Sequence, residues 1–130
     1  MAAVSVQALD HIVLRCADVE ASLAWYCGPL GLKAERADDW RVGKVFFPSV
    51  RIDARTIIDL LPNPAPPTDQ NVDHFCVVIE PVDLEALKAS GVFEVVSGPG
   101  QRWGARGDGT SLYVLDPDRN VVELRHYGAA

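Results

Sequence analysis

Two histidines and two carboxylates stand at matched places in this chain. His11 sits inside the strand-like run LDHIVLR (Leu9 to Arg15), and 63 residues later His74 takes the same place in VDHFCVV (Val72 to Val78). His11 precedes Asp59 by 48 residues and His74 precedes Glu123 by 49. Asp59 lies in TIIDLL (Thr56 to Leu61) and Glu123 in NVVELR (Asn120 to Arg125). Side chains alternate faces along a strand. His11 therefore shares a face with Leu9 and Val13, and His74 with Val72, Cys76 and Val78. By the same rule Asp59 lies with Ile57 and Leu61, and Glu123 with Val121 and Arg125. Each polar group points among mostly apolar neighbours, where an ionised carboxylate needs a partner. Neutral imidazoles with one or two carboxylates are the donors a divalent metal takes. A lone buried histidine is usually a hydrogen-bonded core residue, and Glu123 could simply pair with Arg15 or Arg125. Four groups at duplicated positions read instead as ligands, because a structural hydrogen bond has no reason to recur in register.

The elements that must position them also repeat. The run Leu9 to Arg15 reads as a strand. Asp18 is a helix N-cap with Glu20 in the first turn, and Val19, Leu23, Tyr26 and Leu30 recur at helical spacing until Gly28-Pro29 ends the helix. Strands are expected over about Lys33 to Ala37, Val42 to Pro48 and Thr56 to Leu61. The proline-rich stretch 62–71 cannot feed a helix or a central strand and reads as a linker. Beyond it come a strand over Val72 to Ile79, a helix over about Val82 to Ser90 and a strand over Phe93 to Ser97. A glycine-rich loop follows, then strands Ser111 to Leu115 and Val121 to His126 joined by the turn DPDRN. The order is βαβββ, linker, βαβββ, an internal duplication. Module one covers about 8–61 and module two about 72–127 of a single 130-residue domain.

Composition narrows the partners. A net charge of −6 opposes binding to nucleic acid and to anionic membranes. Neither a signal peptide nor an apolar run long enough to span a bilayer is present. Three widely spaced cysteines, Cys16, Cys27 and Cys76, without a CxxC motif fit buried reduced thiols and a cytoplasmic location.

Taken together, LDHIVLR…SLAWYCGPLGL, VDHFCVVI and SLYVLDPDRNVVELRHY resemble the vicinal oxygen chelate superfamily over about Ala8 to Tyr127. That group holds glyoxalase I, fosfomycin-resistance proteins, methylmalonyl-CoA epimerase, extradiol dioxygenases and bleomycin-resistance proteins. Gly98-Pro99, GARG (Gly104 to Gly107) and DPDRN are similar to the second half of small glyoxalase-domain proteins. The resemblance implies an α+β fold in which two tandem βαβββ modules curl into an open barrel-like cup around one divalent ion (Fe, Mn, Ni, Co or Zn). It assigns His11, His74 and Glu123 as ligands by position and Asp59, one methylene shorter than the usual Glu, as a fourth. It also implies a homodimer.

The chemistry implied is metal-dependent proton transfer on a small molecule with adjacent oxygens, as in a lyase or isomerase, with Glu123 or Asp59 as the base. Alternatives are an Fe(II) dioxygenase and a protein that sequesters a drug or metabolite. Ile12 and Val13 replace the threonine that follows the first histidine in fosfomycin-resistance proteins, which argues against that reaction. Dioxygenases keep a histidine near the position of Asp59 and a tyrosine near that of Tyr113, and this chain has only the tyrosine. The 14-residue stretch GPGQRWGARGDGTS carries five glycines and is expected to be a loop beside the pocket. Within it Arg102 and Arg106 could hold an anionic group and Trp103 could cover an apolar face. The RGD tripeptide there reads as chance, Trp25 as a packing or dimer residue and His126 as structural or exposed.

Overall fold

Strand β1 (Val6–Cys16) brings the first histidine into the core, and helix α1 (Val19–Cys27) follows directly. The Asp18 side chain accepts the Ala21 N–H at 3.0 Å, the expected N-cap. The chain continues through β2 (Lys33–Glu35), α2 (Ala37–Arg41), β3 (Ser49–Arg51) and β4 (Ile57–Pro62). The second run comprises β5 (Val72–Ile79), α3 (Leu84–Ala89), β6 (Glu94–Gly104), β7 (Gly107–Leu115) and β8 (Val121–His126). This computed structural model describes residues 2–63, 72–115 and 120–128. Most of the linker and of the DPDRN turn lies outside the described residues.

Two units are distinguished, His11–Asp73 and Met1–Asp10 with His74–Ala130. In the first, the strand order is β2-β3-β4-β1, with β1 and β4 parallel and the other pairs antiparallel. In the second, the order β6-β7-β8-β5 repeats it, with β5 and β8 parallel. The α+β class expected from the sequence holds, as does the repeated strand order. Each unit has its own core. Cys16, Val19, Leu23, Val50 and Leu60 form one, against which Tyr26 and Trp40 pack. Ile79, Leu84, Leu112, Val114 and Leu124 form the other. Asp83 caps α3 by accepting the Ala86 N–H at 3.1 Å.

Two expectations need correction. Val42 to Pro48 is not a strand. The preceding ADDWR, with two aspartates first and an arginine last, forms helix α2, and Gly43 at φ 79° then redirects the chain before β3. Val42 and Phe46 are 70% and 72% exposed, so their apolar character never meets a sheet face. The glycine-rich stretch is not a loop either. Gly98 to Gly104 extends β6, Gly107 begins β7, and the two pair down to Gly104 and Gly107. Gly107 has φ 96°, which only glycine adopts without strain beside so tight a turn. Among the described residues no helix is long and apolar enough to cross a membrane.

Leu60 and Leu112 are both fully buried, one in each core. Leu60→Ala and Leu112→Ala are each expected to lower the unfolding free energy by about 2–5 kcal/mol, read from urea denaturation.

Candidate functional site

The two histidine–carboxylate pairs are built by one rule. In the first unit Val13 of β1 is the register partner of Asp59 of β4, so His11 lies two residues off Asp59 on the same face. In the second unit Cys76 of β5 partners Glu123 of β8, and His74 has the same offset. His11 Nε2 is 3.8 Å from Asp59 Oδ2, and His74 Nε2 is 3.0 Å from Glu123 Oε1. A serine from the next strand completes each pair. Ser49 of β3 donates to Asp59 Oδ1 at 2.5 Å, and Ser111 of β7 donates to Glu123 Oε2 at 2.7 Å. Asp59 is 1% exposed and Glu123 fully buried. Both carboxylates therefore keep one oxygen on a serine and turn the other toward their histidine.

The pairs then diverge. Glu123 is followed two residues later by Arg125, and Asp59 by Leu61. Arg125 is fully buried, and its Nε and Nη2 donate to Glu123 Oε2 at 3.2 and 2.9 Å. Nη2 also donates to the Trp103 carbonyl at 2.8 Å, while Nη1 reaches the Gly107 carbonyl and Tyr127 Oη, each at 3.3 Å. Tyr127 donates in turn to Asp10 Oδ2, and Asp10 Oδ1 accepts the Ala105 N–H at 2.9 Å. Burial works against the Arg125 charge, but Glu123, by its charge and hydrogen bond, together with Cys76 and Tyr127 outweighs it and raises the guanidinium pKa above its usual value. The hairpin must be bare where it meets this group: a Cβ at Gly104 would lie 2.2 Å from Arg125 Nη1 and 2.7 Å from Asp10 Oδ1.

The other candidate side chains separate into two places. Tyr113 is the register partner of Glu123 and meets the His74 ring edge-on, with centroids 5.4 Å apart. Burial, and then the charge of Glu123, push the Tyr113 phenol pKa well up, so it is a proton donor at neutral pH. The exposed Arg102 guanidinium lies 5.9 Å from the Tyr113 ring centroid. Arg106 stacks instead on Tyr127, at 5.3 Å. Trp103 is half-buried and joins the network through its carbonyl. Arg15 pairs with Asp73 at 2.6 Å, not with Glu123. The His126 ring accepts the Gly128 N–H, and Trp25 is exposed beside Tyr26.

Sequence reasoning missed Ser49, Ser111, Asp10 and Tyr127. One signal was available: both histidines follow an aspartate, Asp10-His11 and Asp73-His74. The serines gave none, since register alone brings them to the carboxylates.

The family model described as Glyoxalase/Bleomycin resistance protein/Dioxygenase superfamily matches residues 8–124. The chain belongs to this superfamily. It is 33% identical over 127 residues to the glyoxalase domain-containing protein RDO1 of Mycosarcoma maydis, covering 95% of this chain and 70% of that protein. Its fold is like that of methylmalonyl-CoA epimerase from Mycobacterium tuberculosis, with TM-score 0.61 and 17% identity over 99% of this chain and 93% of the other. It is also like the Mn(II)-bound glyoxalase of Novosphingobium aromaticivorans, with TM-score 0.69 and 18% identity over 97% of this chain and 40% of that one.

Gly104→Ala is expected to lower the unfolding free energy by about 1–3 kcal/mol in urea titrations, because the buried guanidinium must move. A second outcome concerns Tyr127, whose pKa is pushed up to about 12, first by burial and then by its bond to Asp10. The folded chain keeps this proton where an unfolded tyrosine, with a pKa of about 10, loses it. The resulting stability is complete below about pH 10 and is lost as pH rises toward about 12. Urea midpoints measured across that range are expected to fall more steeply for the unsubstituted protein than for Tyr127→Phe.

Proposed function

We propose that this chain is a divalent-metal enzyme of the glyoxalase type, in which His11, His74 and Glu123 hold the ion and Asp59 moves a substrate proton. The observation that carries the proposal is the doubled pairing of histidine and carboxylate at one register offset. Two imidazoles and a carboxylate are donor types that can hold a metal ion. Charge supports the fit. Glu123 and Asp59 are buried, and a carboxylate in the interior calls for a compensating charge, which a cation can supply. The candidates are Fe, Mn, Ni, Co and Zn, and the fold shared with a Mn(II)-bound glyoxalase makes Mn(II) the first probe.

Bound there, such an ion supplies Lewis-acid polarisation of two adjacent substrate oxygens. The chain supplies the rest. Ser49 fixes Asp59 by Oδ1, so Oδ2 is the oxygen positioned to take a proton from the carbon beside the substrate carbonyl and return it. Tyr113, protonated at neutral pH, can donate to a substrate oxygen. Arg102 beside it can meet an anionic substituent, and Trp103 can cover an apolar part of the substrate. The substrate is thus a small molecule with neighbouring oxygens, turned over by lyase or isomerase chemistry in a cytoplasmic homodimer. Activation of oxygen at Fe(II) is the second reading, favoured by Tyr113 standing edge-on to His74.

Protein purified without chelators is expected to carry about one equivalent of transition metal by elemental analysis, and the His11→Ala/His74→Ala double variant less than about a tenth. Turnover of 2-oxoaldehyde hemithioacetals by the Mn, Ni, Co or Zn form supports proton transfer, whereas oxygen uptake with catechols by the Fe(II) form supports the second reading. Unsubstituted protein that carries less than about a tenth of an equivalent and takes up no added metal overturns both. It would leave sequestration of a small molecule as the function.

A further inference from the structure

We infer that Arg125 and Ser111 are positioning residues that saturate one oxygen of Glu123, so that it can serve a metal through Oε1 alone. The inference rests on the metal reading above and deepens it. Oε2 receives three donated hydrogen bonds, from Ser111 Oγ at 2.7 Å, Arg125 Nη2 at 2.9 Å and Arg125 Nε at 3.2 Å. That fills the space around one carboxylate oxygen with donors, two of them from a single charged guanidinium. Oε1 is the atom that faces His74 Nε2 at 3.0 Å. A carboxylate free to rotate could present both oxygens to an ion; here Oε2 is committed to Ser111 and Arg125 while Oε1 lies against His74.

The holding group is itself held. Arg125 is anchored by the carbonyls of Trp103 and Gly107 and by Tyr127 Oη. These come from the tip of the β6–β7 hairpin and from the chain just after β8, so the guanidinium cannot follow a displaced Glu123. In the first unit Leu61 occupies the place of Arg125 relative to Asp59, and a serine likewise bonds one carboxylate oxygen. The guanidinium on Oε2 is what the glutamate half adds to the serine. It matters chemically because a ligand restricted to one oxygen takes one coordination position and leaves another for substrate.

The test is metal binding, read without turnover. Mn(II) affinity is measured by electron paramagnetic resonance of free Mn(II) in the unsubstituted protein, Arg125→Lys, Ser111→Ala and Leu84→Ala. The visible absorption of the Co(II) form of each reports its coordination. Arg125→Lys and Ser111→Ala are expected to weaken Mn(II) binding by about 10–100-fold, and to change the intensity of the Co(II) bands as Oε2 is released. Leu84→Ala, a core change in α3, is expected to lose stability yet keep Mn(II) affinity within about twofold and the Co(II) spectrum unchanged. If Arg125→Lys does not fold, Ser111→Ala decides. Affinity and spectrum both unaltered in the folded variants overturn the positioning role while leaving the metal site in place. An unsubstituted protein that binds neither Mn(II) nor Co(II) overturns the metal reading, and this inference with it.

Discussion

Glu123 and Arg125 are both fully buried, and each makes the other tolerable. Removing either partner of such a pair leaves an unpaired charge in the interior, at a cost of about 3–5 kcal/mol. The guanidinium has more donors than one carboxylate oxygen can accept, so it must also find the carbonyls of Trp103 and Gly107. That demand shapes the hairpin. Gly104 has no room for a Cβ beside Nη1, and a Cβ on Gly109 would stand 2.9 Å from the His126 carbonyl and 3.2 Å from the same nitrogen. The stretch GARGDG is thus a close-fitting cover for one buried cation, with Gly104 and Gly109 as its steric requirements and Gly107 as its turn.

The same view explains how the duplicated halves differ while sharing a register. The offset between histidine and carboxylate is identical in the two units, and a serine from the adjoining strand serves both carboxylates. The serines arrive differently. Ser49 is the direct register partner of Asp59, whereas Tyr113 faces Glu123 and Ser111 is the partner of Arg125. A shorter acid in one half and a longer acid with a cation in the other are two solutions to burying a carboxylate on a parallel strand pair. The second ties the carboxylate to a hairpin tip.

Much of this was legible from residue types. Strand alternation placed His11, Asp59 and Glu123 on buried faces, with His74 half-buried, and Asp18 and its cap marked where α1 begins. The pairing of Arg125 with Glu123 could be named only as one of two options, because a face rule does not separate Arg15 from Arg125. Ser49 and Ser111 were illegible for a different reason: a serine signals nothing until pairing register puts it beside an acid. The hairpin was misjudged because glycine content reads as a loop. Here glycine serves close approach along an extended pair, which depends on a residue 21 positions away from Gly104, Arg125.

The asymmetry also divides the proposed labour between the two acids. A carboxylate whose outer oxygen is saturated by a fixed guanidinium and a hydroxyl is stabilised as an anion in one orientation, which suits a ligand and hinders proton transfer. Asp59 takes a neutral hydroxyl on one oxygen, with Leu61 where the other half has its arginine. Its Oδ2 stands 3.8 Å from His11 Nε2, beyond a normal hydrogen bond, whereas the corresponding separation in the glutamate half is 3.0 Å. In the proposed division the glutamate is the ligand and the aspartate the base.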